Sequence, residues 1–478
     1  SMAIRSVVQS AVAKNIGVLL AMEAREDGGR EKAEALKAAF KGQLGEIQAC
    51  FHPANLPNDP PGKASNTAFA FAWLLDHLDL DMNIGDEKGA LYRPHIQAQQ
   101  AADEDVTRRL GYRGRTPTVL TIADADSEFH RLYFEGLGRE YLQASPEKRD
   151  LHIWQAPVFH IKNYHKQPAP VQVGTIFTGL HDLAILADPF STKFPYSTYS
   201  IPLALARRVG GWDAQWIAED WHMGIKCFLF TLGQSSVQPL FLPTCNFTPE
   251  DDTVLGTLHA RWTQAKRHAL GFSDLPYYFM MLPLIFGKAS SIDQRYSAGQ
   301  KLRDFWNMAF FGTTFLFRLI NVHVILGLLS SYGALTLLIK LLMLIWIPEA
   351  RHVDLLFLRG RLCSIELAVA AAVCVALVNG LFVCAYETLK SRVDGKPHES
   401  MIKHWLLSYL TFVFAGPFFF LGIGLAVLLA AVRVLFSLSF KYDVALKPKM
   451  QADPEIAGSD EAGTLPGGNA EELSCKWP

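Results

Sequence analysis

Cysteine is scarce and never closely paired in this sequence. The seven residues, Cys50, Cys227, Cys245, Cys363, Cys374, Cys384 and Cys475, are odd in number and contain no Cys-x-x-Cys spacing. Neither a disulfide framework nor a zinc site is signalled, and the soluble part is expected to be reduced and to face the cytosol. A surplus of basic charge is also missing: 45 Lys and Arg stand against 46 Asp and Glu, a formal net charge of -1. A nucleic-acid surface carries a clear cationic excess, so no nucleic-acid partner is expected. The first residues lack the long apolar core of a signal peptide, and Ser1-Met2 reads as the edge of a fragment.

Charge itself is nearly missing from three long stretches, residues 305–346, 364–386 and 405–438, whereas it is spread throughout the first 303 positions. A chain of 478 residues that is 50 % hydrophobic exceeds what one core fills, and this asymmetry divides it into a soluble part and a membrane part. At roughly 20 apolar residues per bilayer crossing, the three stretches supply about four spans. Two are expected in 305–346, one in 364–386 and one in 405–438, where Gly416-Pro417 is expected to introduce a kink. Residues 276–303 suit an interfacial segment and linker, residues 304–446 the transmembrane helices, and residues 447–478, rich in Gly, Glu, Asp, Ala and Pro, a disordered tail.

In the soluble part, short apolar runs alternate with helical periodicity. IGVLLAM at 16–22 reads as a strand followed by the helix former EKAEALKAAFKGQL, and residues 45–51 read as a second strand. A Pro-rich turn then leads to the helical TAFAFAWLLDHL, and TPTVLTIADAD at 116–126 is a β-branched strand that stops at two aspartates. Such alternation predicts an α/β fold with a mostly parallel, doubly wound sheet, whose ligands sit beyond the carboxyl ends of the strands.

Three elements carry possible chemistry. Asp124-Ala125-Asp126 places two carboxylates at alternate positions of a strand end, where they suit a divalent cation or, equally, a solvent-facing junction. Glu219 and Asp220 open the apolar helix WHMGIKCFLFTL, a position that favours the anion and also describes a simple helix cap. Gln264, Arg267 and His268 share one helical segment in RWTQAKRHALG, which is a phosphate-binding face or a solvated basic one. Gln155 and Asn163 are candidates to line an acceptor groove, whereas His160, His165 and His222 show no metal-ligand spacing and are expected to be structural.

Taken in order and at these spacings, the elements resemble the inverting, processive-type family 2 glycosyltransferases, the group of cellulose, chitin and hyaluronan synthases. The pattern is DxD, then an ED pair, then QxxRW, followed directly by membrane helices; PGKASN at 61–66 is similar to the family's GKaxxlN segment, and KYDVALKP at 441–448 to the end of its membrane region. The resemblance implies a GT-A-like nucleotide-diphospho-sugar transferase domain over residues 3–275 and an all-α transmembrane region. It implies that Asp124 and Asp126 hold a divalent cation, Mg2+ or Mn2+, and with Lys63 the sugar nucleotide. Asp220 would be the general base with Glu219 as its partner, and Gln264, Arg267 and His268 would serve the diphosphate and acceptor. A nucleotide-sugar donor, a UDP-sugar by preference, a saccharide or lipid acceptor, and a lipid bilayer are the implied partners. The enzyme would be a multi-pass, hexosyltransferase-type membrane protein with a cytosolic catalytic domain, in the plasma membrane or, in a eukaryote, the Golgi.

The sequence departs from the pattern in three places. His268 replaces the tryptophan of QxxRW, Ala218 replaces the threonine before the ED pair, and the first strand with its YNE-like end is expected to be missing, with Glu23 or Glu26 standing where the second strand would end. A catalytically inactive, truncated membrane scaffold is the alternative expectation.

Overall fold

The computed structural model describes residues 2–57, 59–78, 80, 92–96, 99, 117–291, 298–325, 327–329, 331–332, 335, 342, 365–395, 406–407, 409–410 and 420–436. The expected tail at 447–478, the KYDVALKP stretch, most of the second half of 305–346 and the Gly416-Pro417 kink lie outside the described residues.

The chain begins with a short helix, α1 (Met2–Val8), and then a β–α–β unit formed by β1 (Gly17–Glu23), α2 (Gly29–Ala39) and β2 (Glu46–His52). β1 and β2 pair in parallel from Gly17↔Glu46 to Glu23↔His52, so both carboxyl ends point the same way. Helix α3 (Lys63–His77) follows; its apolar TAFAFAWLL sequence buries Phe69, Phe71, Trp73 and Leu75 in the largest core cluster. Because α3 starts at Lys63, the GK dipeptide is placed at a helix N-terminus.

Strand β3 (Val119–Ile122) ends two residues before Asp124, as the β-branched run predicts. The expectation of a mostly parallel sheet holds for strand direction in the larger sheet, with one strand reversed. β3 lies in a four-stranded sheet ordered β3-β7-β5-β8, with β5 (His152–Gln155), β7 (Tyr199–Pro202) and β8 (Ser236–Pro239). β7 runs antiparallel to both β3 and β5, so β3, β5 and β8 point the same way, and β5 and β8 pair directly in parallel. A smaller sheet, β4 (Glu128–Phe129), β9 (Thr244–Cys245) and β6 (Val158–Phe159), is likewise mixed. The reversal comes from distant pairing: β7 bonds β3 on one side and β5 on the other, and leaves directly into helix Leu203–Arg208.

Four further helices frame the site: α4 (Glu219–Phe230), α5 (Val254–Ala269), α6 (Asp274–Ser291) and α7 (Ala298–Ile320). One face of α4 supplies Ile225, Phe228 and Leu229 to a core cluster shared with Tyr278 of α6 and Met308, Phe315 and Leu319 of α7. Phe228 stacks on Phe315 with ring centroids 4.5 Å apart, and the Tyr278 hydroxyl donates to the Gly312 carbonyl at 3.0 Å. The α/β part and the first apolar helix are therefore joined through α4.

Among the described residues one helix, Phe305–Leu329, is long and apolar enough to cross a membrane. Two more apolar helices coincide with expected spans, α8 (Ile365–Asp394) and the shorter α9 (Leu425–Phe436).

Candidate active site

The DxD strand end, the GK helix and the ED helix meet at one point. Lys63 reaches across from α3 and places its Nζ 3.1 Å from Asp124 Oδ1 and 2.9 Å from Glu219 Oε1. The same ammonium donates to the Ser197 carbonyl at 3.0 Å. Ser197 also donates its backbone N–H to Asp220 Oδ2 at 2.8 Å and its hydroxyl to Asp124 Oδ2 at 3.0 Å. One residue thus ties the lysine and both acidic motifs together.

Ser197 does this in a left-handed backbone conformation, φ 54°, which a non-glycine residue adopts at a cost. The strain is held by Gln155. Its side chain is fully buried, accepts from the Tyr196 N–H at 2.7 Å and donates to the Thr198 carbonyl at 3.0 Å, gripping the turn on both sides of Ser197. Gln155 therefore does not line an acceptor groove. Asn163 is buried too, and bonds Thr248 and Glu250 to shape the loop after β9. From that loop Asn246 donates to the Ser197 hydroxyl at 3.2 Å, and the Phe247 N–H donates to Asp126 Oδ2 at 3.3 Å.

The electrostatics follow from this crowding. Burial opposes the charge of Lys63, but Asp124, Glu219 and Asp220 outweigh it and hold the amine well above its usual range. Glu219, 5 % exposed, is pushed up to about 7 by burial; Lys63 opposes the rise and neighbouring Asp220 adds to it. Asp220 remains more open, as the second residue of α4, where its Oδ1 accepts the Trp221 N–H at 2.8 Å. The Ser197 and Trp221 N–H groups that make Asp220 resemble a cap also fix the orientation of its carboxylate. The capping and catalytic descriptions are compatible.

The flanking tryptophans brace this helix. Trp221 stacks on Phe194 at 4.5 Å, and Trp216 stacks on His222 at 4.4 Å. His222 is structural, as expected, but highly charged in its setting: Nδ1 lies 2.8 Å from Asp274 Oδ1 and Nε2 lies 2.9 Å from Asp213 Oδ2. With a carboxylate on each ring nitrogen, the imidazole is best satisfied as the doubly protonated cation. Burial disfavours that charge, but the bonds and charges of Asp213 and Asp274 prevail and raise the pKa. The Trp216 indole N–H also donates to Asp274 Oδ1, at 2.6 Å, and Lys226 Nζ lies 3.0 Å from Asp213 Oδ2. Asp213 is presented by the GGWD turn, where Gly211 is required: its φ is +70°, and a Cβ there would lie 2.5 Å from the Phe71 ring.

The third motif is placed less closely. Gln264 is buried on α5 and accepts from Arg261, whose burial pushes its pKa down to about 10. His268, though open to solvent, is held well below the usual histidine range by surrounding protein mass and then by Arg267 and Arg261, with Asp124 acting in the opposite direction. His268 and Asp124 therefore share one electrostatic neighbourhood. Arg267 turns toward helix α9. Asp126 is buried and accepts the Phe247 backbone N–H. Nothing in the sequence points to Ser197, Asn246 or Arg261, and Gln155, expected at an acceptor groove, instead grips the Ser197 turn; a positive φ at a serine leaves no local signal.

Residues 119–349 match the family model described as Glycosyl transferase family group 2. Over that segment, just under half of its length, the chain carries a glycosyltransferase family 2 domain. The matched segment of this glycosyltransferase holds Asp124, Asp126, Glu219, Asp220, Gln264, Arg267 and His268 and extends through the apolar helix 305–329. Lys63 lies outside it, yet its amine sits at the centre of the acidic group. No curated protein and no solved structure matches the chain. A family 2 domain implies glycosyl transfer, a GT-A type of fold, and binding of a nucleotide-sugar donor and an acceptor.

Among the described residues no group of three or more His, Cys, Asp or Glu is arranged to hold a metal ion. The donor chemistry of the glycosyltransferase nevertheless fits one. Asp124 and Asp126 offer hard carboxylate oxygens, and Mg2+ is commonly held by one or two carboxylates with substrate phosphates and water completing its shell.

Proposed function

We propose that this glycosyltransferase is a membrane-bound, inverting enzyme that moves a sugar from a nucleotide-sugar, by preference a UDP-sugar, to a saccharide or lipid acceptor. The observation that carries this reading is the convergence of Lys63, Asp124, Glu219 and Asp220 on Ser197. Asp220 takes the proton from the acceptor hydroxyl as it attacks the anomeric carbon, and the Ser197 N–H orients the carboxylate. Glu219 and Asp124 hold Lys63 charged, ready for the donor's phosphates. Asp124, with Asp126, would hold a divalent cation together with those phosphates, and the cation would supply charge neutralisation of the leaving diphosphate. Gln264, Arg267 and His268 form the wall facing the leaving group and acceptor, where a guanidinium gives charge-assisted bonds to phosphate. His268 in place of a tryptophan removes a stacking platform, which points away from a cellulose-like chain as acceptor.

The membrane part of the proposal rests on the apolar helix 305–329, on α8 and α9, and on the charge-poor stretches of sequence, which together favour several crossings; the cytosolic side for the catalytic domain rests on the cysteine pattern and the family resemblance. The test is transfer or hydrolysis of a panel of labelled nucleotide sugars by the chain in membranes with Mg2+ or Mn2+. Activity with at least one donor, lost in Asp220→Asn, supports the proposal; activity retained by Asp220→Asn overturns the assignment of the base.

A further inference from the structure

Two helix faces meet beside the site and leave a cavity between them. On α5, Thr263, Lys266 and Arg267 fall at helical spacing on one face, which continues into Leu270; on α9, Ala426, Leu429, Ala430 and Arg433 do the same. The cavity they line has a volume of about 80 Å³. That is room for several water-sized groups. The small side chains of Ala426 and Ala430 create the space, and three cationic side chains, Lys266, Arg267 and Arg433, converge on it from both helices. No Asp or Glu is among the described residues that line it.

We propose that this cavity binds the phosphate head of an anionic membrane lipid. The cations and the Thr263 hydroxyl match phosphate oxygens, while Leu270, Leu429 and the two alanines match the first methylenes of an amphiphile. A freely soluble anion would gain nothing from that apolar wall. Helix α9 supplies the rest of the environment: Val432, Leu435 and Phe436 are 54 %, 80 % and 84 % exposed in the protein alone, as suits a helix in contact with acyl chains. Arg267 belongs both to this cavity and to the Gln264–Arg267 motif, so a lipid phosphate seated here lies against the wall assigned to the leaving group and acceptor. The inference rests on the membrane part of the proposed function, not on its chemistry. The simpler alternative is that Lys266 and Arg433 merely snorkel to the headgroup level without a specific site.

The experiment uses the full chain in a neutral detergent, with retained lipid measured after incubation with labelled phosphatidic acid, phosphatidylcholine or inorganic phosphate. The wild type is expected to retain about one phosphatidic acid per chain and to bind phosphatidylcholine about tenfold more weakly, as loss of net anionic charge dictates. Lys266→Gln with Arg433→Gln is expected to weaken phosphatidic acid retention by about tenfold or more, and Lys266→Arg with Arg433→Lys to preserve it. Asp220→Asn is expected to lose transfer and keep the lipid, which separates failure of this site from failure of the catalytic reading. Equal retention of the two lipids by the wild type would mean snorkelling alone and overturns the proposal without recourse to any variant. Retention unchanged in the charge-neutral double variant overturns it as well, and inorganic phosphate displacing the lipid at equal concentration would assign the cavity to a free anion instead.

Discussion

At the scale of single residues, Ser197 is the position on which the site depends. It offers a carbonyl to Lys63, an N–H to Asp220 and a hydroxyl to Asp124 from a strained conformation that buried Gln155 maintains. Ser197→Ala keeps the backbone bonds and removes only the hydroxyl. The expected loss is about one hydrogen bond's worth, roughly tenfold in kcat/KM with little change in melting temperature, measured by initial rates and thermal unfolding. Glu219 makes a separate prediction. Its folded pKa near 7 lies above the ordinary 4.5, so the folded protein retains a proton that the unfolded chain releases between these values. Stability is expected to fall as pH rises through that window, and Glu219→Gln to flatten that component in denaturant titrations at several pH values. The acidic pairs themselves were legible in the sequence, because carboxylates at a strand end and at a helix start are local patterns. Ser197 and Gln155 were not, because their roles come from a backbone angle and from pairings across some forty residues.

At the scale of elements, helix α4 is fixed at its start by a charged histidine held between two carboxylates from different segments, Asp213 of the glycine turn and Asp274 at the start of α6. Asp274 is fully buried, so Asp274→Asn would leave the His222 imidazolium half-compensated. The expected cost is about 3 kcal/mol of stability, read as a lowered denaturation midpoint, because breaking one partner of a buried pair strands the other. The pH dependence has a definite sign: the raised pKa of His222 contributes stability that is fully present below about 6.5 and is lost as pH rises through the folded value. Helices α2, α3, α4 and α5 could all be read from periodicity and helix formers. The antiparallel insertion of β7 could not, since strand direction is set by which distant segment pairs with it and not by anything in YSIP itself.

At the scale of the whole molecule, the ED helix packs on its outer side against α6 and the apolar α7, so the site is built where the α/β part meets the apolar helices. The charge-poor stretches made apolar helices legible in sequence; the packing of α4 onto α7 depended on which faces the apolar residues occupy after folding. The chain is expected to stay with membranes through alkaline carbonate extraction and to be released only by detergent, as measured by its distribution after sedimentation; release by carbonate would contradict the bilayer-spanning reading. The central claim is that Asp220, oriented by Ser197, is the base of a glycosyl transfer. The most direct measurement is the rate of labelled-sugar transfer by wild type and Asp220→Asn with the same donor and cation. The account predicts a loss of about a hundredfold or more in kcat with donor binding retained. An Asp220→Asn enzyme that transfers sugar at the wild-type rate would contradict it.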